Sequence, residues 1–207
     1  MNRDSLLKSI AETGYNVGFG GRKHWATYDI VNKIPGMIGF IGTAAGVFSL
    51  VYESLSAKNV SATMALLGVV GIYISAYDSK KSDYEKAATE ITQIFNGLRD
   101  LYRQVEALTG TVNFEPYSLR LATYESQYYN ISISKQILFS DWYAHYKFFW
   151  QYQIDWVQEQ KQFSFSRDKV PLTAWLALGA IFLSCGLWTF SRLEPIKSCL
   201  DLFHPSS

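Results

Sequence analysis

Three runs without a charged residue restrict what this sequence can fold into. They cover residues 34–52, 59–77 and 170–191. As α-helices rising about 1.5 Å per residue, each run would reach roughly 28 Å or more, close to the ~30 Å hydrocarbon core of a bilayer. Charged residues make up 18% of the 207-residue chain, against about 25% in soluble domains. The sequence therefore predicts an all-α integral membrane protein.

The first two runs are predicted to form a transmembrane helical hairpin, residues 34–77, because only residues 53–58 separate them. Proline is favoured in the first turn of a helix, so Pro35 is predicted to begin the first span. A hairpin buried in a soluble core is the alternative, although it would have to hide two helices that lack a polar face. The basic residues that flank the hairpin are Arg22, Lys23, Lys33, Lys80, Lys81 and Lys86, whereas its loop offers Lys58. By the positive-inside rule, segment 1–33 and the region after the hairpin are predicted to be cytoplasmic.

Residues 78–169 are predicted to form a cytoplasmic helical region that begins with a heptad helix, 79–108. Its apolar residues recur four and three positions apart. Such a seam packs either within one chain or between copies of it, since bundles and coiled coils share this spacing. A lasting contact between copies would make the protein a homo-oligomer. The residues predicted for that oligomer seam are Ile91, Phe95, Leu98, Tyr102 and Val105.

The rest of the chain is aromatic and then apolar. Phe139, Trp142, Tyr146, Phe149 and Trp156 follow helical spacing, which predicts a helix packed on two sides or lying against lipid headgroups. Residues 170–191 are predicted to be a third transmembrane helix near the C-terminus, followed by a tail, 192–207. Basic residues flank this helix evenly, so its direction stays open.

A stripe of small residues runs along the first predicted span. Its members are Gly39, Gly42, Thr43, Gly46 and Ser49. Small residues let membrane helices approach closely, and Gly42-x-x-x-Gly46 is the spacing of such contacts. The stripe either packs against the second span or lines a pore formed by several copies, where its hydroxyls would face water without a buried charge.

The sequence contains few residues in patterns typical of catalytic, metal or cofactor sites. Gly14, Gly18, Gly20 and Gly21 precede Arg22-Lys23-His24, but a phosphate loop requires Gly-Lys-Ser/Thr after a strand, so a closely packed or bent segment is the better interpretation. The histidines and cysteines lack metal-ligand spacing, and no catalytic motif is present. We expect no enzyme activity, cofactor or metal, and the net charge of +1 gives no reason to expect nucleic-acid binding.

Several motifs resemble those of one family. They are E-T-G-Y-N-V-G-F-G-G-R-K-H at 12–24 with A-T-Y-D-I at 26–30, K-I-P-G at 33–36 with I-G-F-I at 38–41, Y-I-S-A-Y-D-S-K at 73–80 and, more loosely, Q-I-F-N-G-L-R-D-L-Y at 93–102. Over about residues 8–108 the chain is similar to the SLATT family, the SMODS and SLOG-associating two-transmembrane effectors. The third apolar run departs from that two-span pattern.

The resemblance implies an effector of a bacterial anti-phage system that perforates the inner membrane and stops growth of the infected cell (abortive infection). The implied partners are membrane lipid and a nucleotide-signal synthase, a nucleotide-sensing protein or a reverse transcriptase from the same operon. Two alternatives compete with it. One is a membrane-anchored adaptor or sensor that recruits a cytosolic defence partner through residues 139–165 without conducting ions. The other is a lipid enzyme built on Asp141, His145 and Asp155.

Overall fold

The computed structural model describes residues 2–110, 112–152, 154–165 and 167–192. Within these residues the chain is helical and has no strand, which confirms the all-α prediction. Two short 3-10 helices, Glu53–Ser56 and Asp78–Lys80, accompany the α-helices. The predicted tail, with Cys199 and His204, lies outside the described residues apart from Arg192. The α-helices are α1 (Arg3–Ser49), α2 (Lys58–Ser75), α3 (Lys81–Glu106), α4 (Glu115–Ile131), α5 (Ser140–Gln151), α6 (Asp155–Lys161) and α7 (Leu172–Arg192).

The chain divides into two compact units, residues 1–163 and 164–207. The first unit contains α1 to α6, and the second contains α7. Among the described residues, three helical stretches are long and apolar enough to cross a membrane, namely Arg3–Ser49, Lys58–Glu106 and Leu172–Thr189. Their length and composition are those of a membrane protein.

Helix α1 runs without interruption from Arg3 to Ser49. Its N-terminus is capped by Asn2, whose side chain accepts a hydrogen bond from the backbone N–H of Ser5 at 2.8 Å. The prediction that Pro35 begins a helix is wrong, because Pro35 lies inside α1. Proline lacks the N–H that would bond to the carbonyl of Val31. One helix therefore joins the predicted cytoplasmic segment to the first predicted span.

The first half of α1 packs with α3, α4, α5 and α6 into a helical bundle, which we call the bundle. The predicted heptad helix is present as α3. A second, smaller core lies where the bundle meets the hairpin, and it joins Val31 of α1 and Ile74 of α2 to Tyr84 of α3 and Ile137. Both ends of the hairpin are thus held by the same side of the bundle.

The aromatic segment is not one helix. Phe139 precedes α5 in a left-handed backbone conformation, and Trp156 lies in the separate helix α6. The prediction of one helix over these residues is therefore wrong, because the segment forms two helices, α5 and α6. A left-handed residue and an extended Tyr152 bound α5, and both conformations stop an α-helix.

Candidate functional site

Glycines in the first half of α1 let aromatic rings lie directly on the helix backbone. A Cβ atom added to Gly18 would lie 2.7 Å from the ring of Phe95 and 2.8 Å from that of Phe148. Real Cβ atoms essentially never come so close, so only glycine fits between these rings. The prediction of a closely packed glycine segment is confirmed. The other three contacts pair Gly14 with Trp156, Gly20 with Tyr128 and Gly21 with Ile91.

The heptad seam of α3 faces the inside of the bundle. Ile91, Phe95, Leu98, Tyr102 and Val105 are all buried within the single chain. A buried side chain has no surface left for a second copy, so in this conformation the seam is an intramolecular core rather than an oligomer contact. This burial favours the alternative interpretation of a seam packed within one chain, and an oligomer contact through these residues stays a prediction. A contact between copies through these residues requires the bundle to open.

The small-residue stripe of the first predicted span has the opposite environment. A Cβ atom added to Gly36, Gly39, Gly42 or Gly46 would meet nothing within 4 Å. Helix α2 approaches α1 elsewhere, where a Cβ on Gly71 would lie 3.9 Å from Ile38 Cδ1. These glycines therefore make no close contact with another helix among the described residues, and the interpretation of the stripe as an intrachain packing face stays a prediction. The role in lining a pore stays a prediction.

The hydroxyl groups of the stripe bond to their own helix. Thr43 Oγ1 donates to the carbonyl of Gly39 at 2.8 Å, and Ser49 Oγ donates to that of Gly46 at 2.7 Å. Such bonds satisfy a hydroxyl where no other partner is offered. The stripe as a whole is thus small, nearly apolar and able to accept another helix.

His24 of α1 hydrogen-bonds to the loop between α4 and α5. This loop, residues 132–139, is called the α4–α5 loop. His24 Nε2 accepts a hydrogen bond from the backbone N–H of Ile133 at 2.9 Å, so Nδ1 carries the proton and donates to the carbonyl of Gly20 at 2.7 Å. The ring is buried. Burial lowers the pKa of His24 below its ordinary value, the bond to Gly20 raises it and Lys23 lowers it further. The neutral ring is the form that this contact requires.

Asp29 holds two lysines at the junction of bundle and hairpin. Lys33 Nζ lies 2.6 Å from its Oδ1, and Lys147 of α5 pairs with its Oδ2. Burial raises the pKa of Asp29, but the hydrogen bonds from Lys147 and Lys33 outweigh it, and the pKa stays below its ordinary value. Two lysines on one carboxylate leave an excess of positive charge here.

The α4–α5 loop contacts every element at the junction. Thr27 of α1 donates to Gln136, the Tyr84 hydroxyl of α3 donates to the carbonyl of Lys135, and the backbone N–H of Leu138 donates to the Tyr73 hydroxyl of α2 at 3.4 Å. The loop ends at Phe139, with φ 66°. A left-handed residue other than glycine costs roughly 1–2 kcal/mol, so surrounding contacts hold the loop in this shape.

Two apolar clefts lie beside this loop. One of about 320 Å³ lies between α1, α2 and the loop, and one of about 420 Å³ lies between α1 and α5. Ile30, Ile34 and Phe139 line both of them. The first is completed by Val70, Tyr73, Ile74, Ile137 and Leu138, and the second by Asp29, Lys33, Met37, Trp142 and Tyr143.

The residues considered for a lipid enzyme lie on two different helices, α5 and α6. Asp141 and His145 lie one turn apart on α5, but Asp141 pairs with Lys23 at 2.7 Å. Burial lowers the pKa of His145, Asp141 raises it less, and Nδ1 is buried without a hydrogen-bond partner. Asp155 begins α6 and lines another cleft with Arg99 and Glu159. Among the described residues no three His, Cys, Asp or Glu side chains could hold a metal ion.

Sequence reasoning missed the junction residues His24, Thr27, Asp29 and Tyr84, because their partners lie 51 to 118 residues away in the chain. One signal was available. Gly14, Gly18 and Gly21 recur four and three positions apart, the spacing of one helix face. That spacing predicts a closely packed face, although not the rings that cover it.

Comparison with known proteins gives one match. The family model described as SMODS and SLOG-associating 2TM effector domain 6 matches residues 1–178. No curated protein and no solved structure matches the chain. The match extends beyond residues 8–108, where the sequence motifs lie, and includes the whole bundle. It takes in only the first residues of α7.

Proposed function

The chain belongs to the family of SMODS and SLOG-associating two-transmembrane effectors, and on this premise we propose that it oligomerises in a bacterial inner membrane and permeabilises that membrane when triggered. The family implies an effector of anti-phage defence with two membrane spans. The hairpin supplies both spans in this proposal. The basic residues at its ends keep the bundle and the N-terminus in the cytoplasm.

The single observation that supports this mechanism is the continuity of α1. Side chains of the bundle pack closely on its first half, and its second half carries the exposed stripe. A rigid helix transmits a movement of one end to the other. When a signal rearranges the bundle, the stripe moves with it.

The structure corresponds to a closed state in this proposal. The α3 seam is buried within the chain, whereas the glycines of the stripe meet no side chain among the described residues. Membrane helices associate through close backbone contact, because lipid offers no hydrophobic driving force between them. The stripe is the surface on which copies would assemble. A trigger acts by binding the open state more tightly than the closed one, and a nucleotide signal or a protein from the same operon is the expected trigger.

Membrane potential tests the proposal. The chain is expressed in bacteria that contain a voltage-sensitive dye, with and without the neighbouring genes of its operon. The proposed effector depolarises the cells once the trigger is present, before growth stops. The alternative adaptor would use the exposed rings of Tyr146 and Trp150 as a docking surface. It leaves the potential unchanged while a partner still co-purifies, and that result would exclude permeabilisation.

A further inference from the structure

We propose that a membrane phospholipid docks at the α4–α5 loop, with an acyl chain in the apolar clefts and its phosphate beside Lys33. This inference rests on the proposed function, since the hairpin has to be in the membrane for the loop to reach lipid. It adds a specific lipid site where the α4–α5 loop of the bundle meets the ends of both spans of the hairpin.

The shape and chemistry of the clefts favour a hydrocarbon occupant. The cleft between α1, α2 and the loop is lined almost entirely by apolar side chains, of which Ile34 and Val70 belong to the two charge-free runs. The cleft is therefore continuous with the part of the hairpin that would face acyl chains. Water in such a cleft would have few polar partners, whereas an acyl chain needs none.

The conformation of Phe139 points to the same occupant. This residue adopts a left-handed backbone although it is not glycine, and its side chain is nevertheless 60% exposed. Its ring meets that of Trp142 edge-on, with the centroids 5.8 Å apart. A strained backbone that presents an apolar ring to the outside gains little within the chain. Burial of the ring in lipid supplies the missing contact, since the ring leaves water.

The charges at the cleft favour a phosphate headgroup. Asp29 pairs with both Lys33 and Lys147, so one positive charge is left over at the mouth of the second cleft. The side chain of Lys33 is 60% exposed. Lysine side chains near membrane surfaces extend their charge toward the headgroups while their carbon chains stay in apolar surroundings. A phospholipid therefore matches both the clefts and the charge beside them.

Tryptophan quenching tests this site. The full-length chain is reconstituted into phosphatidylcholine and phosphatidylglycerol vesicles whose acyl chains carry bromine close to the glycerol. The variants W142F and W150F identify the emission of each ring by difference. Trp142 lines the cleft, whereas Trp150 lies eight residues, about 12 Å, further along α5 and is 62% exposed. We expect bromine to quench the Trp142 emission and to leave the Trp150 emission unchanged.

A second pair of variants tests the loop. Asparagine accepts the left-handed conformation, so F139N keeps the backbone and removes the ring. We expect F139N to abolish the quenching of Trp142, and the matched change Y129N, at an exposed ring of α4, to preserve it. Replacing the brominated phospholipid by a brominated uncharged glycolipid weakens the quenching, because no phosphate then meets Lys33.

The outcomes separate this inference from the proposed function. If the chain resists alkaline extraction from the vesicles but Trp142 is no more quenched than Trp150, the lipid site is wrong and the membrane effector stands. Unchanged quenching in F139N, or equal quenching by the glycolipid, also contradicts the docked phospholipid. If alkali releases the chain, membrane insertion fails and both proposals fall together.

Discussion

The two halves of α1 use glycine in opposite ways. In the bundle half, Gly14, Gly18, Gly20 and Gly21 lie against side chains from α3, α4, α5 and α6. In the hairpin half, Gly36, Gly39, Gly42 and Gly46 have open space where a side chain would be. The helix is continuous between them. The same number of glycines therefore serves two roles. In the bundle half they allow close packing, and in the hairpin half they leave an exposed surface of small residues.

The difference shows which half of α1 already has its packing partners. The bundle half has its partners within the chain, so a substitution there changes stability. The glycines of the hairpin half meet no side chain among the described residues, so a substitution at one of them leaves the fold of one chain intact and changes only the surface that the helix presents. Four experiments test this contrast, from the largest expected effect to the smallest.

The largest effect is expected from Gly42→Leu combined with Gly46→Leu. The two leucines prevent close backbone approach along the stripe, so triggered killing of the host cell is abolished while the protein remains in the membrane. Viable counts and membrane fractionation measure the two properties. The matched control, Ile41→Leu with Phe48→Leu on the opposite face of α1, kills as the unmodified chain does. Undiminished killing by the glycine variant would remove the assembly surface from the proposal.

In the bundle half, Gly18→Ala is expected to lower the free energy of unfolding by about 1–3 kcal/mol, because the added methyl group overpacks two rings. Denaturation in detergent, followed by tryptophan fluorescence, measures the change. The control is Gly39→Ala, which meets nothing. Alanine favours a helix over glycine by about 1 kcal/mol, so this control does not lose stability. Equal losses in both variants would contradict the contrast between the halves.

The pH dependence of stability is expected to belong to the bundle half. Burial lowers the pKa of His24, so the unfolded chain binds the proton more readily than the folded one. Stability is then full above the ordinary pKa of about 6.5 and declines as the pH falls below it. His145 acts with the same sign, and Asp29 loses its contribution only at lower pH.

The free energy of unfolding of the unmodified chain and of His24→Gln, measured between about pH 5 and 8, tests the contribution of His24 to this pH dependence. Stability of the variant depends less on pH, because one of the two histidines with a lowered pKa, His24 and His145, is gone. An unchanged slope would mean that His24 is equally easy to protonate in the folded and unfolded chain. The hairpin half contributes nothing to the slope, since residues 34–52 carry no charged residue.

The smallest effect compares one substitution at two places on α1. Thr13 is buried and donates to Glu125 of α4 at 2.6 Å, so Thr13→Val costs about 0.5–1.5 kcal/mol of unfolding free energy. Thr43 bonds only within its helix, so Thr43→Val stays within about 0.5 kcal/mol of the unmodified chain. The same denaturation assay measures both. A larger loss at Thr43 would reveal a partner for the hairpin half.

Much of the helical architecture could be predicted because its signals are local. The heptad spacing from Tyr84 to Val105 predicted α3, and the uncharged run 170–191 predicted α7. The errors arose where the outcome depends on distant residues. Pro35 is tolerated inside α1 although its local preference is for the first turn, and Phe139 leaves the helical conformation that its spacing suggested.

The candidate site was the least predictable part. The loop that joins α4 to α5 meets α1, α2 and α3 through His24, Tyr73 and Tyr84. Each of these contacts joins residues at least 51 positions apart. Nothing in the spacing of a single segment encodes such a pair.

By itself, the sequence determined that the chain is helical, that three stretches suit a membrane, and which faces of α1 and α3 are small or apolar. Composition and periodicity carry that information because they act over a few turns of one helix. Only the tertiary structure showed that the α3 seam is buried within the chain. It also showed that the first glycines of α1 contact side chains of other helices, whereas the later glycines contact none among the described residues. The residues on a helix face determine which kinds of surface can pack against it, but the tertiary fold determines which surface does.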